Sequence, residues 1–347
     1  MTELALERIR QHLENIVGER NPFTRPEQLE KTAQYLSSQF EAMGLEVTQE
    51  TVEYEGTRSC NILGQTPGDP DANGLFVLAA HYDSVPDTPG ADDNASAVTA
   101  LLEIAHDLCQ TPLPKPIVFC AFTLEEYGFI GAKHFIQHDL KRKNQISAMI
   151  SLEMLGFINT TPGSQTYPPY VDASQYPDTG DFIAVVGNEP SAGLVQALAG
   201  GMTDSVPTLK VETLVVPGQG ENFTDVRLSD HSPFWDAGIP AVMVTDTAFF
   251  RNPNYHQPSD TLATLDLEFI HNNARAVKIH PLLRKNSSRA TARSIRTYTT
   301  RLKFVIECPG WVSSHHFQQH DLTSTLPLES RHQIPKFGFY VFAFRYP

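Results

Sequence analysis

GLFVLAAHYDSVPDTPGADDNASAVTALLEIAHDL, residues 74–108, decides the fold. It opens on an apolar, β-branched run that stops abruptly in polar residues. An unbroken run of that length reads as a strand buried on both faces. Residues 95–108 then read as a helix with few breakers. The pattern repeats downstream. PIVFCAFTLEEYG (116–128) and ISAMISLEMLGF (146–157) are again buried strands ending in polar residues, and GAKHFIQHDL (131–140) fits a helix between them. DFIAVVGN (181–188) and IPAVMVTDT (239–247) supply a fourth and a fifth strand, with helices at 191–201 and 267–279. Upstream, amphipathic spacing predicts helices at about Leu4–Val17 and Glu27–Met43, the second stopped by Gly44. Residues 45–54 alternate like an edge or half-buried strand, and 59–68 run from a strand into a turn.

Strands alternating with helices predict an α/β fold, a three-layer α-β-α sandwich around a mixed, mostly parallel sheet. In such sheets the site lies beyond the carboxyl ends of the strands. His81, Asp83, Glu125, Glu126 and Glu153 all fall there. The Pro- and Tyr-rich stretch 158–180 reads as a long loop beside those ends, either shaping a pocket or crossing the surface.

Composition narrows the function. The 347 residues are 41% hydrophobic, enough for a sizeable core. No apolar run approaches the ~18 residues of a membrane span, and the charged N-terminus lacks the apolar centre of a signal peptide, which favours the cytoplasm. The net charge of −14 is uneven: residues 280–347 carry ten Lys/Arg and three Asp/Glu, leaving 16 and 37 on the rest. An acidic body argues against nucleic-acid binding and tolerates a substrate with a cationic end. The basic, Ser/Thr-rich segment 281–347 does not join the α/β pattern of 1–280 and reads as a tail or appendage; His315, His316 and His320 lie in it. Cys60, Cys109, Cys120 and Cys308 have irregular spacing and read as reduced thiols.

Taken singly, the polar residues are weak signals. His81 and Asp83, at i and i+2 at a strand end, point to one side, so Asp83 can orient the ring of a metal-binding His81; an H-x-D is otherwise a surface pair. Asp92 or Asp93 in PGADDN can be only a helix N-cap. Glu125 and Glu126 diverge as neighbours, so one can hold a metal while the other faces an attacking water as a base. Glu153 ends a buried strand, where a carboxylate is costly unless paired or metal-bound. Tyr255 and His256 sit in a loop stiffened by Pro253 and Pro258. Asp230 and His231 precede a short helix, where Asp230 reads as an N-cap and His231 as a pocket or supporting residue.

As an ordered set, H-x-D, D-D-N, E-E, E and Y-H resemble the co-catalytic two-zinc aminopeptidase family, which includes bacterial leucyl aminopeptidases and is related to glutamate carboxypeptidase and the one-zinc glutaminyl cyclases. The words GADDNASA, EEYGFIGAKHF and DHSPFWDAGIPA are similar as well, and the resemblance covers roughly residues 27–280. It implies two zinc ions, with cobalt or manganese as substitutes. His81, Asp93 and Glu153 would hold one, and Asp93, Glu126 and His256 the other, with a water shared between them. Glu153 stands where many relatives have Asp. The resemblance further implies that Glu125 is the general base, that Tyr255 steadies the oxyanion, and that Asp83 orients His81. The expected activity is hydrolysis of the N-terminal peptide bond of a peptide with a free amino end.

Three rivals stay open. A glutaminyl cyclase on the same scaffold would bind one zinc. A carboxypeptidase or deacylase would share the two-metal site, and the carboxypeptidase needs a cationic pocket, for which Arg227 and Arg251 are the candidates. A non-enzymatic binding module would lack a base or a ligand, and none is missing.

Overall fold

The structure is a computed structural model describing residues 2–277, apart from 70, 72–73 and 110–112. The basic segment 281–347 and its histidines lie outside the described residues. Eight strands form one sheet: β1 (Glu46–Tyr54), β2 (Thr57–Gln65), β3 (Leu75–His81), β4 (Ile117–Phe122), β5 (Ile146–Glu153), β6 (Ile183–Asn188), β7 (Val211–Val216) and β8 (Ala241–Thr245). Their order is β1-β2-β4-β3-β5-β8-β6-β7. Four of the seven pairings are parallel, namely β3 with β4 and β5, β5 with β8, and β6 with β7. The remaining three are antiparallel, so the sheet is mixed, as expected.

The continuous apolar runs have a direct cause. In β3, Phe76, Leu78 and Ala80 enter one core while Leu75, Val77 and Ala79 enter a second on the opposite face. β4 divides the same way, with Ile117, Phe119 and Ala121 on the first side and Val118, Cys120 and Phe122 on the second. A strand covered on both faces needs apolar residues at both parities. The first core is closed by helices α1 (Thr2–Ile16), α2 (Pro26–Ala42), α3 (Ala97–Leu108), α6 (Ala192–Ser205) and α8 (Leu267–Ala276). The second lies under α4 (Ile130–His138) and α7 (His231–Asp236). A short α5 (Leu140–Gln145) joins α4 to β5, with the Asp139 carboxylate accepting the amides of Lys141 and Arg142 as its cap.

Most predicted elements are present within a few residues. Gly44, at φ 77°, ends α2 in the left-handed conformation that favours glycine. The helix expected at 95–108 starts at Ala97, because residues 91–96 form an irregular turn that carries Asp93. The helix expected at 191–201 continues to Ser205, through Gly200 and Gly201, since Met202 is buried in the first core. β7 was not predicted: most of its residues are only half-buried, so its hydrophobic signal is diluted. Cys60 and Cys120 carry free thiols. No helix among the described residues is long and apolar enough to cross a membrane.

Candidate metal centre

The strand ends deliver the polar residues to one place. His81 ends β3 and Glu153 ends β5, and both continue the parity of Val77, Ala79 and Met149, so they project on the side of the second core. Glu125 and Glu126 follow β4, Asp93 sits in the turn before α3, and His256 comes from the loop after β8. His81 Nε2 stands 3.3 Å from Asp93 Oδ1 and 3.5 Å from Glu153 Oε1. His256 Nε2 stands 3.1 Å from Asp93 Oδ2 and 3.3 Å from Glu126 Oε2. The two oxygens of Asp93 therefore face two different imidazoles. Glu125 Oε2 lies 3.9 Å from His81 Nε2. The neighbouring glutamates face different imidazoles, but one oxygen of each lies within 4.8 Å of the other and of a His81 nitrogen, closer than the divergence expected of adjacent positions.

A lattice of hydrogen bonds holds these groups. Asp83 Oδ1 accepts the Glu125 amide at 3.1 Å and Oδ2 the Glu126 amide at 3.3 Å, while Oδ1 faces His81 Nδ1 at 3.5 Å. Asn94 donates to the Leu152 carbonyl at 3.1 Å and accepts the Met154 amide at 2.9 Å, stitching the Asp93 turn to the end of β5. Asp260 accepts the amides of Asp92 and Asp93 at 2.9 and 3.1 Å. It lies in the same loop as His256, so one carboxylate ties that loop to the Asp93 turn. Ser229 donates to Glu153 Oε2 at 2.7 Å. Gly90, at φ 61°, passes so close that a Cβ there would fall 2.5 Å from the Asp93 carbonyl. Leu124, Met154 and His256 have φ of 56°, 48° and 57°, each beside or within the cluster. Such backbones cost about 1–3 kcal/mol each and persist where the surroundings over-determine them.

The charges are crowded. Asp83, Asp93, Glu125, Glu153 and Asp230 are all buried. Two like charges about 4 Å apart repel by about 4 kcal/mol at an effective dielectric of 20. Burial, followed by Glu153 and Glu126, pushes the Glu125 carboxyl well above the usual range, although His81 opposes it. Burial and Asp93 lift Glu126 to about 7. Asp93 goes the other way: burial opposes its charge, but His256 and His81 outweigh that and hold it well below the ordinary value. His256 is carried up to about 10, its burial outweighed by Asp93 and Glu126. One cation is built in. Arg20 is fully buried, and its guanidinium donates to the carbonyls of Tyr82, Ile16, Gly18, Pro89 and Gly90 at 2.7–2.9 Å.

The donor set fits metal ions. Among the described residues His81, Asp93 and Glu153 form one group of ligand atoms, Asp93, Glu126 and His256 another, and His81, Glu125 and Glu126 a third. Donors about 2.0–2.2 Å from a tetrahedral zinc stand about 3.3–3.6 Å from one another, close to the 3.1–3.5 Å found. His256 Nε2 and Glu126 Oε1 are buried polar atoms without a hydrogen bond, as expected of atoms shaped for a cation.

The other predicted residues resolve in different ways. Tyr255 stacks on His256 with ring centroids 3.8 Å apart. Asp92 is no helix cap: it accepts Ser96 Oγ, the Gly156 amide and Asn252 Nδ2 at 2.7–3.0 Å. Asp230 makes no side-chain cap bond, and both its oxygens are buried without a hydrogen-bond partner beside the cluster. His231 hydrogen-bonds the Val226 carbonyl at 2.8 Å and packs on Trp235. The loop 158–180 does shape a pocket, contributing Tyr167, Val171 and Tyr176. Arg20 and Asp260 escaped the sequence reading, because a lone Arg in a loop and an Asp in PSDT carry no local signal.

A family model described as peptidase family M28 matches residues 61–279. The chain belongs to peptidase family M28. It is 36% identical over 250 residues to the protein YfbL of Escherichia coli (strain K12), a match covering 69% of this chain and 76% of that one. It is 33% identical over 133 residues to aminopeptidase YwaD of Bacillus subtilis (strain 168), covering 35% of this chain and 29% of that protein. Against YwaD, then, the match takes in less than a third of the relative's length. The LapA aminopeptidase of Legionella pneumophila shares the fold, with a TM-score of 0.64 at 23% identity over 81% of this chain and 72% of that chain. BSAP, a zinc aminopeptidase from Bacillus subtilis, gives a TM-score of 0.51 at 25% identity over 65% of this chain and 49% of that chain.

Proposed function

We propose that this M28 chain is a zinc-dependent aminopeptidase whose working domain is residues 1–280. The observation that carries the reading is Asp93, whose two oxygens face His81 and His256 at 3.3 and 3.1 Å. A carboxylate between two imidazoles, with Glu153 on one side and Glu126 on the other, would be shared by two ions, one held with His81 and Glu153 and the other with Glu126 and His256. The zinc content of BSAP and the aminopeptidase activity in the names of YwaD and BSAP support the same assignment. Cobalt or manganese would suit a set of imidazole and carboxylate ligands.

Zinc held by these residues would supply Lewis acidity, lowering the pKa of a bound water and polarising a peptide carbonyl. Glu125 accepts the proton of the attacking water and returns it to the leaving amine, a task suited to a carboxylate whose burial already favours holding a proton. Asp83 fixes the Glu125 backbone for this transfer. Tyr255 stays protonated, since burial lifts its phenol, and donates a hydrogen bond to the carbonyl oxygen as negative charge grows. The substrate's α-ammonium meets the acidic cluster, which restricts cleavage to the first residue.

The carboxypeptidase reading loses its cationic pocket. Arg251 is buried, donating through Nε to Gln165 at 2.9 Å and through Nη1 to the Phe182 carbonyl at 2.8 Å, with Nη2 buried and unpartnered among the described residues. Arg227 is engaged by the Gln219 carbonyl and by Asp236. The test is a panel of aminoacyl chromogenic amides, with free and acetylated amino ends, at defined zinc load. Hydrolysis of the free-amino series, loss on chelation and about two zinc ions per chain are expected. Equal turnover of acetylated substrates would overturn the aminopeptidase reading.

A further inference from the structure

Beside the cluster lies a pocket of about 100 Å³, bounded at its inner end by Glu153 and Tyr255. That is below the roughly 300–1,000 Å³ of a site enclosing a whole small ligand, so it takes one side chain. Its floor is a single row across the sheet. Glu153 pairs with Thr245, Thr245 with Ala184, and Ala184 with Glu212. Paired positions face the same side, and three strand spacings of about 4.8 Å put Glu212 roughly 14 Å along the row from Glu153. Ala184 and Thr245 are small and leave the floor clear. Phe182, Phe249, Phe250 and Tyr167 supply apolar lining.

Glu212 stands out from that apolar lining, in which Glu153 and Asp225 are the other carboxylates. It is half-buried, and its carboxylate has no hydrogen bond or ion pair among the described residues. The tyrosines whose titration it influences use their hydroxyls elsewhere: Tyr167 donates to the Pro177 carbonyl at 2.6 Å and Tyr176 to the Thr213 carbonyl at 3.1 Å. Of the nearby cations, Lys210 pairs with Asp181 at 2.6 Å, and Arg251 donates through Nε and Nη1 to Gln165 and Phe182, its Nη2 reaching no acceptor and so not Glu212 either. Burial raises the Glu212 carboxyl, with no neighbouring charge opposing it. A carboxylate at the far end of an apolar slot suits a ligand with an apolar stem and a cationic tip. A lysine side chain, with five bonds of about 1.5 Å from Cα to Nζ, spans roughly 6 Å and meets a glutamate reaching toward it.

We propose that Glu212 is a specificity residue selecting substrates whose first residue is lysine or arginine. This rests on the aminopeptidase reading above. The zinc-loaded chain is assayed on lysyl, arginyl, norleucyl and leucyl chromogenic amides, beside Glu212→Gln and Glu212→Asp. Binding of lysine amide and norleucine amide is measured by calorimetry on the same proteins. Lysine and norleucine match in stem and differ in charge, so their ratio isolates the carboxylate. A hydrogen bond to a charged group implies at least a ~10-fold preference for lysine in kcat/KM and in affinity. Glu212→Gln is expected to abolish that preference while leaving norleucine within ~3-fold and the zinc content unchanged, and Glu212→Asp to restore part of it. A lysine-to-norleucine ratio near one in the wild type, or a ratio unmoved by Glu212→Gln, overturns the proposal while norleucyl hydrolysis leaves the aminopeptidase reading intact. Absence of hydrolysis of every free-amino substrate sinks both.

Discussion

Asp83 grips Glu125 through the backbone: its Oδ1 accepts the Glu125 amide at 3.1 Å, and the same oxygen faces His81 Nδ1 at 3.5 Å. One carboxylate thus lies against an imidazole and holds the backbone of the candidate base. The role extends the one expected from H-x-D, which concerned the imidazole alone. Asp83→Asn replaces one acceptor by a donor that confronts either an amide or the ring. Partners of metal ligands typically contribute about 10–100-fold to affinity or activity. The substitution is expected to weaken zinc by about that factor, read by titration against a competing chelator, and to lower kcat at saturating zinc. Unchanged values on both counts would remove Asp83 from the site's support.

Substitutions at Glu125 and His256 are expected to separate chemistry from metal retention. Glu125→Gln keeps the shape and removes the proton acceptor, so zinc content should stay near the wild-type value while kcat falls at least ~10²-fold. His256→Ala removes a donor 3.1 Å from Asp93 and 3.3 Å from Glu126, so zinc per chain should fall together with rate. Elemental analysis beside steady-state kinetics distinguishes the two patterns. Normal turnover by a fully zinc-loaded Glu125→Gln enzyme excludes Glu125 as the base.

The parts of the fold written in local pattern were readable. β3, β4 and β5 announce themselves because burial on both faces demands apolar residues at every position, and their polar ends mark where His81, Glu125 and Glu153 emerge. β7 was not readable, since its half-buried residues blur the pattern. The supports of the site were hidden for a different reason. Arg20 acts through five backbone carbonyls and Asp260 through two backbone amides more than 160 residues away. Neither uses a partner side chain, so no spacing of residue types reveals them.

Asp260 yields a prediction about assembly of the site. Its oxygens accept the amides of Asp92 and Asp93 at 2.9 and 3.1 Å, and burial with Asp92 nearby lifts its carboxyl to about 7. Asp260→Ala leaves two buried amides without acceptors, a loss of about 1–3 kcal/mol each. The Asp93 turn should loosen, so zinc affinity should drop at least ~10-fold and Tm should fall. Asp260→Asn, which keeps one acceptor oxygen, should recover part of both. If Asp260→Ala binds zinc as the wild type does, the Asp93 turn is held by other means.

His231 makes the acid stability of the fold testable. Burial lowers its pKa to about 4, although its bond to the Val226 carbonyl pulls the other way. In the unfolded chain an imidazole titrates near ~6.5. The folded value is the lower one, so between those values the unfolded state binds more protons and stability rises with pH. The contribution is fully present above about pH 6.5 and is lost progressively as pH falls toward 4. A separation of about 2.5 units corresponds to about 3 kcal/mol. His231→Gln keeps a side-chain donor for Val226 and cannot titrate. Urea unfolding from pH 4 to 7 should therefore show a shallower fall in stability for the variant than for the wild type, with the two curves drawing together toward low pH. Parallel curves across that window would mean that His231 does not carry the pH dependence.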